Sequence, residues 1–165
     1  MMSLNQVNAM PHARFMAAFG DVAEHSPWVA EAAAGERPFE DRREMVAAFA
    51  GAMQSAPDAA KLAVVRAHPD LAGKAELTDD STREQDGAGL NTLSSDEFDR
   101  FMQMNEAYKA KFGFPFIFAV KGADKYQILE AFEERLENSA ETEFHTACAQ
   151  VCRIFRFRIE DRVSK

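Results

Sequence analysis

The chain has 165 residues, a length that suits one domain with a substantial buried core. Its composition, 47% hydrophobic and 28% charged, is ordinary for a soluble globular protein. The net charge of −8 argues against nucleic acid or an anionic membrane surface as a partner, because binding to either requires a basic face.

The first half of the chain is rich in helix-forming residues, and alternating β-branched runs are absent. Proline, aspartate and glycine at segment boundaries predict helices here. Their spans are 11–20, 21–25, 27–35, 41–55 (capped by Asp41) and 57–68. Within the fourth span, Met45, Phe49 and Met53 recur every four residues, which indicates a buried face.

The second half is also helical after a stretch from 70 to 80 that we expect to be irregular. Ser81 and Glu84 form a Ser-x-x-Glu capping box, and Ser94 and Glu97 form another. The predicted helices are 81–87, 95–111, one that follows Asp124 or Gly122 and ends near 138, and 140–161 (capped by Ser139). We therefore expect one all-α domain over residues 1–165, with about seven to eight helices and no sheet.

Residues 112–120, FGFPFIFAV, do not fit this helical pattern. The run contains Pro115, is too short for a helix, and has no partner strand elsewhere. Its backbone N–H and C=O groups therefore need partners from neighbouring loops or from a ligand. The four phenylalanines within seven residues indicate a segment that is buried or lines an apolar pocket.

His68 precedes Pro69, and proline restricts the residue before it to extended backbone. We therefore expect His68 at a helix end. One interpretation is structural, since a histidine there interacts favourably with the negative end of the helix dipole. The other is a general acid or base, because imidazole titrates near neutral pH. Asp70 and Lys74 either tune this imidazole or are solvated surface charges.

Ser81, Glu84 and Gln85 share the first turn of a predicted helix. The capping box accounts for the first two of these residues. A helix N-terminus also presents unpaired N–H groups and a positive partial charge, which suit an anion or a carbonyl. The two roles are compatible.

A zinc site is a weaker alternative. His145, Cys148 and Cys152 lie at i, i+3 and i+7 on one helix face, but no fourth ligand follows at a recognised spacing. Small thiols are also common in helix cores. We therefore expect no metal site.

Four arginines lie close together near the C-terminus, at positions 153, 156, 158 and 162. Most are expected to be solvated or paired with Glu160 and Asp161. One of them can turn inward and hold a carboxylate with two parallel hydrogen bonds.

The compartment is expected to be a reducing cytoplasm. No apolar run approaches the roughly 20 residues needed to span a bilayer. The opening MMSLNQVNAM lacks the features of a secretory signal, and the final Val-Ser-Lys is not a peroxisomal signal. The two cysteines imply no disulfide framework.

Four motifs in order carry a resemblance to a known family. They are HPDLA at 68–72, SxxEQxxAGL at 81–90, NxxYxxKFGFPFI at 105–117 and IFRFRI at 154–159. Together with SPWVA at 26–30 and RPF at 37–39, they resemble 2-oxo-4-hydroxy-4-carboxy-5-ureidoimidazoline (OHCU) decarboxylases. The resemblance spans nearly the whole chain. It implies an all-helical homodimer that converts OHCU to (S)-allantoin in urate degradation, without metal or organic cofactor.

The resemblance also implies roles for individual residues. His68 matches the catalytic histidine, and Glu84 matches the active-site acid. The positions implied to contact substrate are Pro69, Ser81, Thr82, Arg83, Glu84, Gln85, Phe116, Ile117, Phe118, Ala119, Val120 and Arg158. The chain departs from the family pattern at Phe155 and Phe157, where smaller aliphatic residues are usual. The inward arginine is therefore Arg158, at the matched position, or Arg156.

A rival hypothesis is a non-catalytic helical module that binds a partner through Phe112–Phe118. It explains the aromatic residues. It gives no reason for His68-Pro69 and Glu84-Gln85 to occur in one chain.

Overall fold

The computed structural model describes residues 1–73 and 77–165, so the predicted influence of Lys74 on His68 falls outside the described residues. Within them the chain forms nine helices and no strand, which confirms the all-α prediction. The helices are α1 (Leu4–Ala9), α2 (His12–Phe19), α3 (Trp28–Ala34), α4 (Arg42–Ser55), α5 (Asp58–Arg66), α6 (Asp79–Gly87), α7 (Ser95–Phe112), α8 (Lys125–Leu136) and α9 (Ala140–Arg162). An isolated parallel bridge joins Met2 and Val163.

The helices group into two compact units. Unit 1 comprises residues 1–67 and 152–165, and unit 2 comprises residues 68–151. Helix α9 continues from one unit into the other. The expectation of one domain over residues 1–165 stays a prediction.

Local hydrogen bonds explain where most of the helices begin. The Asp41 carboxylate accepts from the Glu44 amide at 2.8 Å, which starts α4 as predicted. Ser94 and Glu97 form the predicted capping box of α7, and that helix ends at Gly113 in the left-handed region, with φ 78°. Asp124, rather than Gly122, caps α8.

The core of unit 1 is aromatic. The rings of Phe15 and Phe19 lie 5.0 Å apart, and Phe49 contacts both Phe15 and Phe155 with ring centroids 6.4 Å apart. The predicted apolar face of α4 is confirmed, because Met45, Phe49 and Met53 are fully buried.

Two predictions in the N-terminal region were wrong or incomplete. Residues 21–25 form turns rather than a helix, because His25 adopts a φ of 57° and the Val22 carbonyl accepts from a side chain. Helix α1 was not predicted, although Ser3 and Gln6 form a capping box that marks its start.

The predicted start of α6 was also wrong. Thr78 caps this helix, and its side chain accepts from the Ser81 amide at 3.2 Å. Ser81 is therefore the third residue of the helix, and the Ser81–Glu84 pattern is not its capping box. The predicted break at residues 87–89 is confirmed, since α6 ends at Gly87.

The core of unit 2 is built around Tyr108. Its ring contacts Phe114, Phe116 and Phe132, with centroids between 5.4 and 6.0 Å apart. Phe101 packs edge-on against Phe132. Residues 113–120 cross this core without forming a helix, as the sequence predicted.

Candidate active site

His68 begins a short segment, residues 68–72, that follows α5 by one intervening residue. Its position outside the helix confirms the prediction from Pro69. Its side chain is largely buried, with 7% of the residue exposed. Leu71 and Ala72 are also buried, whereas Pro69 and Asp70 between them and His68 are partly exposed.

Two amide side chains hold the backbone of this segment. The Gln85 Oε1 atom accepts from the Ala72 amide at 3.0 Å, and Gln85 Nε2 donates to the Asp70 carbonyl at 3.4 Å. Asn105 Nδ2 donates to the Leu71 carbonyl at 2.9 Å. These bonds support an uncommon conformation, because Ala72 has a φ of 56° in the left-handed region.

The acid after Pro69 faces a different partner. The Asp70 carboxylate accepts from Lys109 Nζ at 2.7 Å, and both side chains are partly exposed. Asp70 is therefore paired with a cation from α7. Such an exposed pair contributes about 0–1 kcal/mol to stability.

Helix α6 turns one face towards the interior. Ser81 and Gln85 are four residues apart and both are buried, while Glu84 is half-buried. Thr82 and Arg83 are exposed, and their side chains interact locally, with the Thr78 carbonyl at 2.9 Å and Asp80 at 2.5 Å. Among the predicted site residues of α6, only Ser81, Glu84 and Gln85 are buried or half-buried.

The first turn of α6 carries Asp79 and Asp80. Carboxylates at this position interact favourably with the positive end of the helix dipole. They also reduce the attraction of that end for an anionic ligand. The expectation that the helix N-terminus orients the substrate stays a prediction.

Side chains of α8 and α9 pair with two backbone groups of residues 116–120. Arg135 Nη1 donates to the Ile117 carbonyl, and Gln150 Oε1 accepts from the Ala119 amide at 2.9 Å. The Phe116 ring stacks on Phe132 at 3.8 Å, and the Arg135 guanidinium lies 4.3 Å from the Phe116 centroid. The sequence left open whether neighbouring loops or a ligand would pair with this backbone. For these two backbone groups, the partners are protein side chains.

Arg135 belongs to a buried ionic cluster. Glu143 is fully buried, and its carboxylate accepts from Arg135 Nε at 2.6 Å, from the Tyr108 hydroxyl at 2.5 Å and from Asn138 at 3.0 Å. Burial, and then the hydrogen bond to the Glu143 carboxylate, raise the pKa of Tyr108 well above its ordinary value. The hydroxyl therefore stays protonated and acts as a donor.

Arg158 lies in unit 1 and is almost completely buried, with 2% of the residue exposed. Its Nη2 atom donates to Glu24 at 2.6 Å, and its Nη1 atom donates to the Val22 carbonyl at 3.1 Å. Arg156 is half exposed and lies 3.5 Å from Glu160. Arg158 is thus the inward-facing residue of the two, and one carboxylate that it holds belongs to the protein itself.

A surface cleft of about 420 Å³ lies in unit 1 between α3 and α4. Small residues of α4 form much of its wall, and Glu36 and Glu44 also line it. None of the predicted site residues lines this cleft. Most of the predicted site residues lie instead on segment 68–72, on helix α6 and in residues 116–120.

The described residues contain neither a cluster suited to a metal ion nor a helix suited to a membrane. Among residues 1–73 and 77–165, no three or more histidine, cysteine, aspartate or glutamate side chains cluster in a way that could hold a metal ion. Within that same part of the chain, no helix is both long and apolar enough to cross a bilayer. The expectation of no metal stays a prediction.

Several residues of the site were not predicted as such. Asn105, Arg135, Glu143 and Gln150 make their contacts with residues between 5 and 35 positions away, and periodicity does not reveal such pairs. Asn105 and Tyr108 had a weak signal, since both occur in the NxxY part of the third motif.

This geometry is compatible with a helical enzyme: the buried His68 lies on a segment held by hydrogen bonds, and two of the four phenylalanines of residues 112–118, Phe114 and Phe116, are in the core. Comparison with known proteins specifies the kind of enzyme. Residues 8–160 match the sequence profile of the family described as OHCU decarboxylase. The decarboxylase of that name from Haloferax volcanii is 42% identical over 163 residues, covering 99% of this chain and 97% of the relative.

Two further proteins extend the comparison. A uric acid degradation bifunctional protein from Bacillus subtilis is 38% identical over 165 residues, and the match covers 33% of that longer protein. A crystal structure of (S)-allantoin synthase aligns with a TM-score of 0.83 at 28% identity, covering 99% of this chain and 54% of that one. The chain belongs to the OHCU decarboxylase family.

Proposed function

We propose that this chain catalyses the decarboxylation of OHCU to (S)-allantoin, the last step in the breakdown of urate. The observation that carries the proposal is His68, buried on a segment that Gln85 and Asn105 hold by its backbone, in a chain that belongs to this family. The substrate is a small anion that carries a carboxylate and a ureido group on one ring.

In the proposed reaction the substrate itself accepts the electron pair that decarboxylation releases, so no cofactor is needed for this step. When the carboxylate leaves as CO₂, the electron pair of the broken bond stays on the ring carbon, and the adjacent C=N and carbonyl groups of the substrate accept it. The protein must hold the carboxylate out of the ring plane, stabilise the developing charge and deliver a proton to one face. Preorganised donors and a group that titrates near neutral pH suit these tasks.

In the proposed mechanism His68 is the general acid or base that delivers the proton to one face of the ring. Glu84 polarises the substrate or orients His68. The proposed substrate contacts are Pro69, Ser81, Thr82, Arg83, Gln85 and the backbone of residues 116–120. The polar ends of Gln85 already serve Ala72 and Asp70, so this residue links substrate contact to the position of segment 68–72.

Glu84→Gln tests the chemical role of this carboxylate. Because Thr78 caps α6, the substitution removes no cap, and we expect an unchanged melting temperature. General acid–base groups contribute about 10²–10⁴-fold to rate, so kcat should fall by about 100-fold or more. Steady-state kinetics and thermal unfolding measure the two effects.

Asp86→Asn is the matched control, since it makes the same chemical change at an exposed position of the same helix. Its kcat should stay within about twofold of the wild-type value. Equal activity of wild type and Glu84→Gln would remove Glu84 from the mechanism.

Arg158 is proposed to hold the substrate carboxylate with its planar guanidinium. Replacing it with lysine keeps the charge but loses the pair of parallel donors. A hydrogen bond to a charged group contributes about 1.5–3 kcal/mol, so KM should rise by about tenfold or more in Arg158→Lys. Substrate-saturation kinetics provide the measurement.

Arg156→Lys is the control for this variant, and its KM should change by less than about twofold because the side chain is half exposed. The buried pair with Glu24 predicts in addition that Arg158→Lys lowers the melting temperature. A lower melting temperature with an unchanged KM would assign Arg158 to the fold alone.

Three further properties are part of the proposal. The enzyme acts as a homodimer, in the cytoplasm and without metal or organic cofactor. Its partner is the small-molecule substrate, and neither nucleic acid nor membrane is involved. The acidic net charge supports the exclusion of nucleic acid and membrane surfaces, and the low cysteine content supports a reducing cytoplasm.

The decisive experiment mixes the purified protein with freshly generated OHCU and follows optically active allantoin by circular dichroism. The proposal predicts a rate above that of the spontaneous reaction and formation of the S enantiomer. A rate and stereochemistry equal to the spontaneous reaction would favour the partner-binding module. The burial of Phe114 and Phe116 already counts against that module, because buried rings are not available to a partner.

A further inference from the structure

Asn105 stands out among the buried polar residues of unit 2. It lies on α7 with 3% of its surface exposed. Its Nδ2 atom donates to the Leu71 carbonyl at 2.9 Å. Its Oδ1 atom is buried and has no hydrogen-bond partner among residues 1–73 and 77–165. The side chain therefore uses its donor and leaves its acceptor unsatisfied within the described structure.

This arrangement leaves as many hydrogen-bonding groups unsatisfied as an apolar residue at the same position would leave. A buried acceptor that finds no donor loses its hydration without compensation. Replacing the amide with an apolar side chain of similar size would remove that acceptor and would leave the Leu71 carbonyl unpaired instead. The number of unsatisfied groups would stay the same. What the asparagine adds is a hydrogen bond that fixes one backbone group of segment 68–72, the Leu71 carbonyl.

That backbone group lies three residues after His68. Gln85 holds the residues on either side of it, through the Asp70 carbonyl and the Ala72 amide. Asn105 holds the residue between them. The segment therefore has two independent supports, one from α6 and one from α7, and the loss of either leaves the other in place.

We propose that Asn105 is a positioning residue of the active site, which fixes the imidazole of His68 through the Leu71 carbonyl. The inference rests on the proposed function, in which His68 reacts with the substrate. A misplacement of about 1 Å at a catalytic group lowers the rate by about 100-fold. The same misplacement should also change the environment of the His68 imidazole, and that change is measurable without substrate.

Two variants test the role of the donor. Asn105→Leu removes the donor and the unsatisfied acceptor together. It should lower kcat by about 10- to 100-fold, with KM within about twofold and a cooperative thermal transition retained. Asn105→Asp keeps the shape but donates to the Leu71 carbonyl only when its carboxyl group is protonated. Its kcat relative to wild type should therefore rise as the pH falls, whereas that of Asn105→Leu should not.

Lys109→Gln is the matched control. Lys109 lies one turn further along α7 and contacts the same segment, but through the partly exposed Asp70 side chain. Its kcat should stay within about twofold of wild type, because such pairs are weak. A loss as large as that of Asn105→Leu would show that any weakening of the segment suffices, and would overturn the specific role of Asn105.

Nuclear magnetic resonance separates this inference from the proposed function. The chain has four histidines, and His68→Asn identifies the imidazole signals of His68. In Asn105→Leu these signals should shift and titrate with a different midpoint, while those of His12, His25 and His145 stay in place. Unchanged His68 signals would overturn the inference even if wild type is active. An inactive wild type in which the signals do shift would instead overturn the proposed decarboxylation.

Discussion

Replacing His68 with asparagine is expected to abolish decarboxylation while leaving the helical content unchanged. The residue lies outside α5 and before Pro69, so the substitution changes no residue of a helix. Asparagine retains a polar side chain but does not exchange a proton near neutral pH. The expected loss is about 10²–10⁴-fold in kcat, the usual contribution of a general acid or base. The circular dichroism assay for (S)-allantoin measures activity, and the far-ultraviolet spectrum measures helicity.

His25→Asn is a matched control for this substitution. His25 is exposed and adopts a left-handed backbone with φ 57°, a conformation that asparagine tolerates well. Its activity and stability should therefore match those of the wild type. Activity of His68→Asn close to the wild-type value would refute the acid–base assignment, and a lost helical spectrum would show that His68 serves the fold.

The sequence predicted helices best where a local signal marks their ends. Asp41, Ser94 and Asp124 each cap the helix that they were expected to begin, because a capping side chain bonds to amides only two or three residues away. Local signals also misled. Ser81 and Glu84 have the spacing of a capping box, but Thr78 occupies the capping position three residues earlier.

The contacts that fix the site depend on distant parts of the chain. Asn105 and Leu71 are 34 positions apart, and Glu24 and Arg158 are 134 positions apart. No periodic pattern relates such residues. The resemblance to a family proposed His68 and Glu84 as site residues because the motifs surround them, and it left the supporting Asn105, Arg135 and Glu143 without a role. Physical reasoning from one sequence thus predicts helices and candidate chemistry, whereas the supports of a site require the fold.

A distant contact also explains why the expected helix over residues 21–25 does not form. Their composition does not forbid a helix. The Val22 carbonyl and the Glu24 carboxylate instead accept from Arg158, which lies on the last helix of the chain. A tertiary contact of a buried guanidinium therefore overrides a weak local preference.

The largest effect on stability is expected from Glu143→Gln. The substitution keeps the shape and an acceptor oxygen but removes the charge that balances the buried Arg135 guanidinium. Breaking one side of a buried ion pair costs about 3–5 kcal/mol, because the remaining charge stays in a poorly solvating interior. For a chain of this size each kcal/mol corresponds to about 2–4 °C, so the melting temperature should fall by roughly 10 °C. Thermal and urea unfolding provide the measurement.

Two further variants establish that the burial of the charge is the cause. Glu133→Gln makes the same chemical change in the exposed Arg100–Glu133 pair, and it should cost less than about 1 kcal/mol. Adding Arg135→Met to Glu143→Gln removes the uncompensated cation and should restore part of the lost stability, since an apolar replacement of a buried ion pair is often tolerated. The activity of this double variant should nevertheless be lower than that of the wild type, because the Ile117 carbonyl loses its Arg135 donor. Equal losses in Glu143→Gln and Glu133→Gln would contradict the assignment of a buried, charge-balanced cluster.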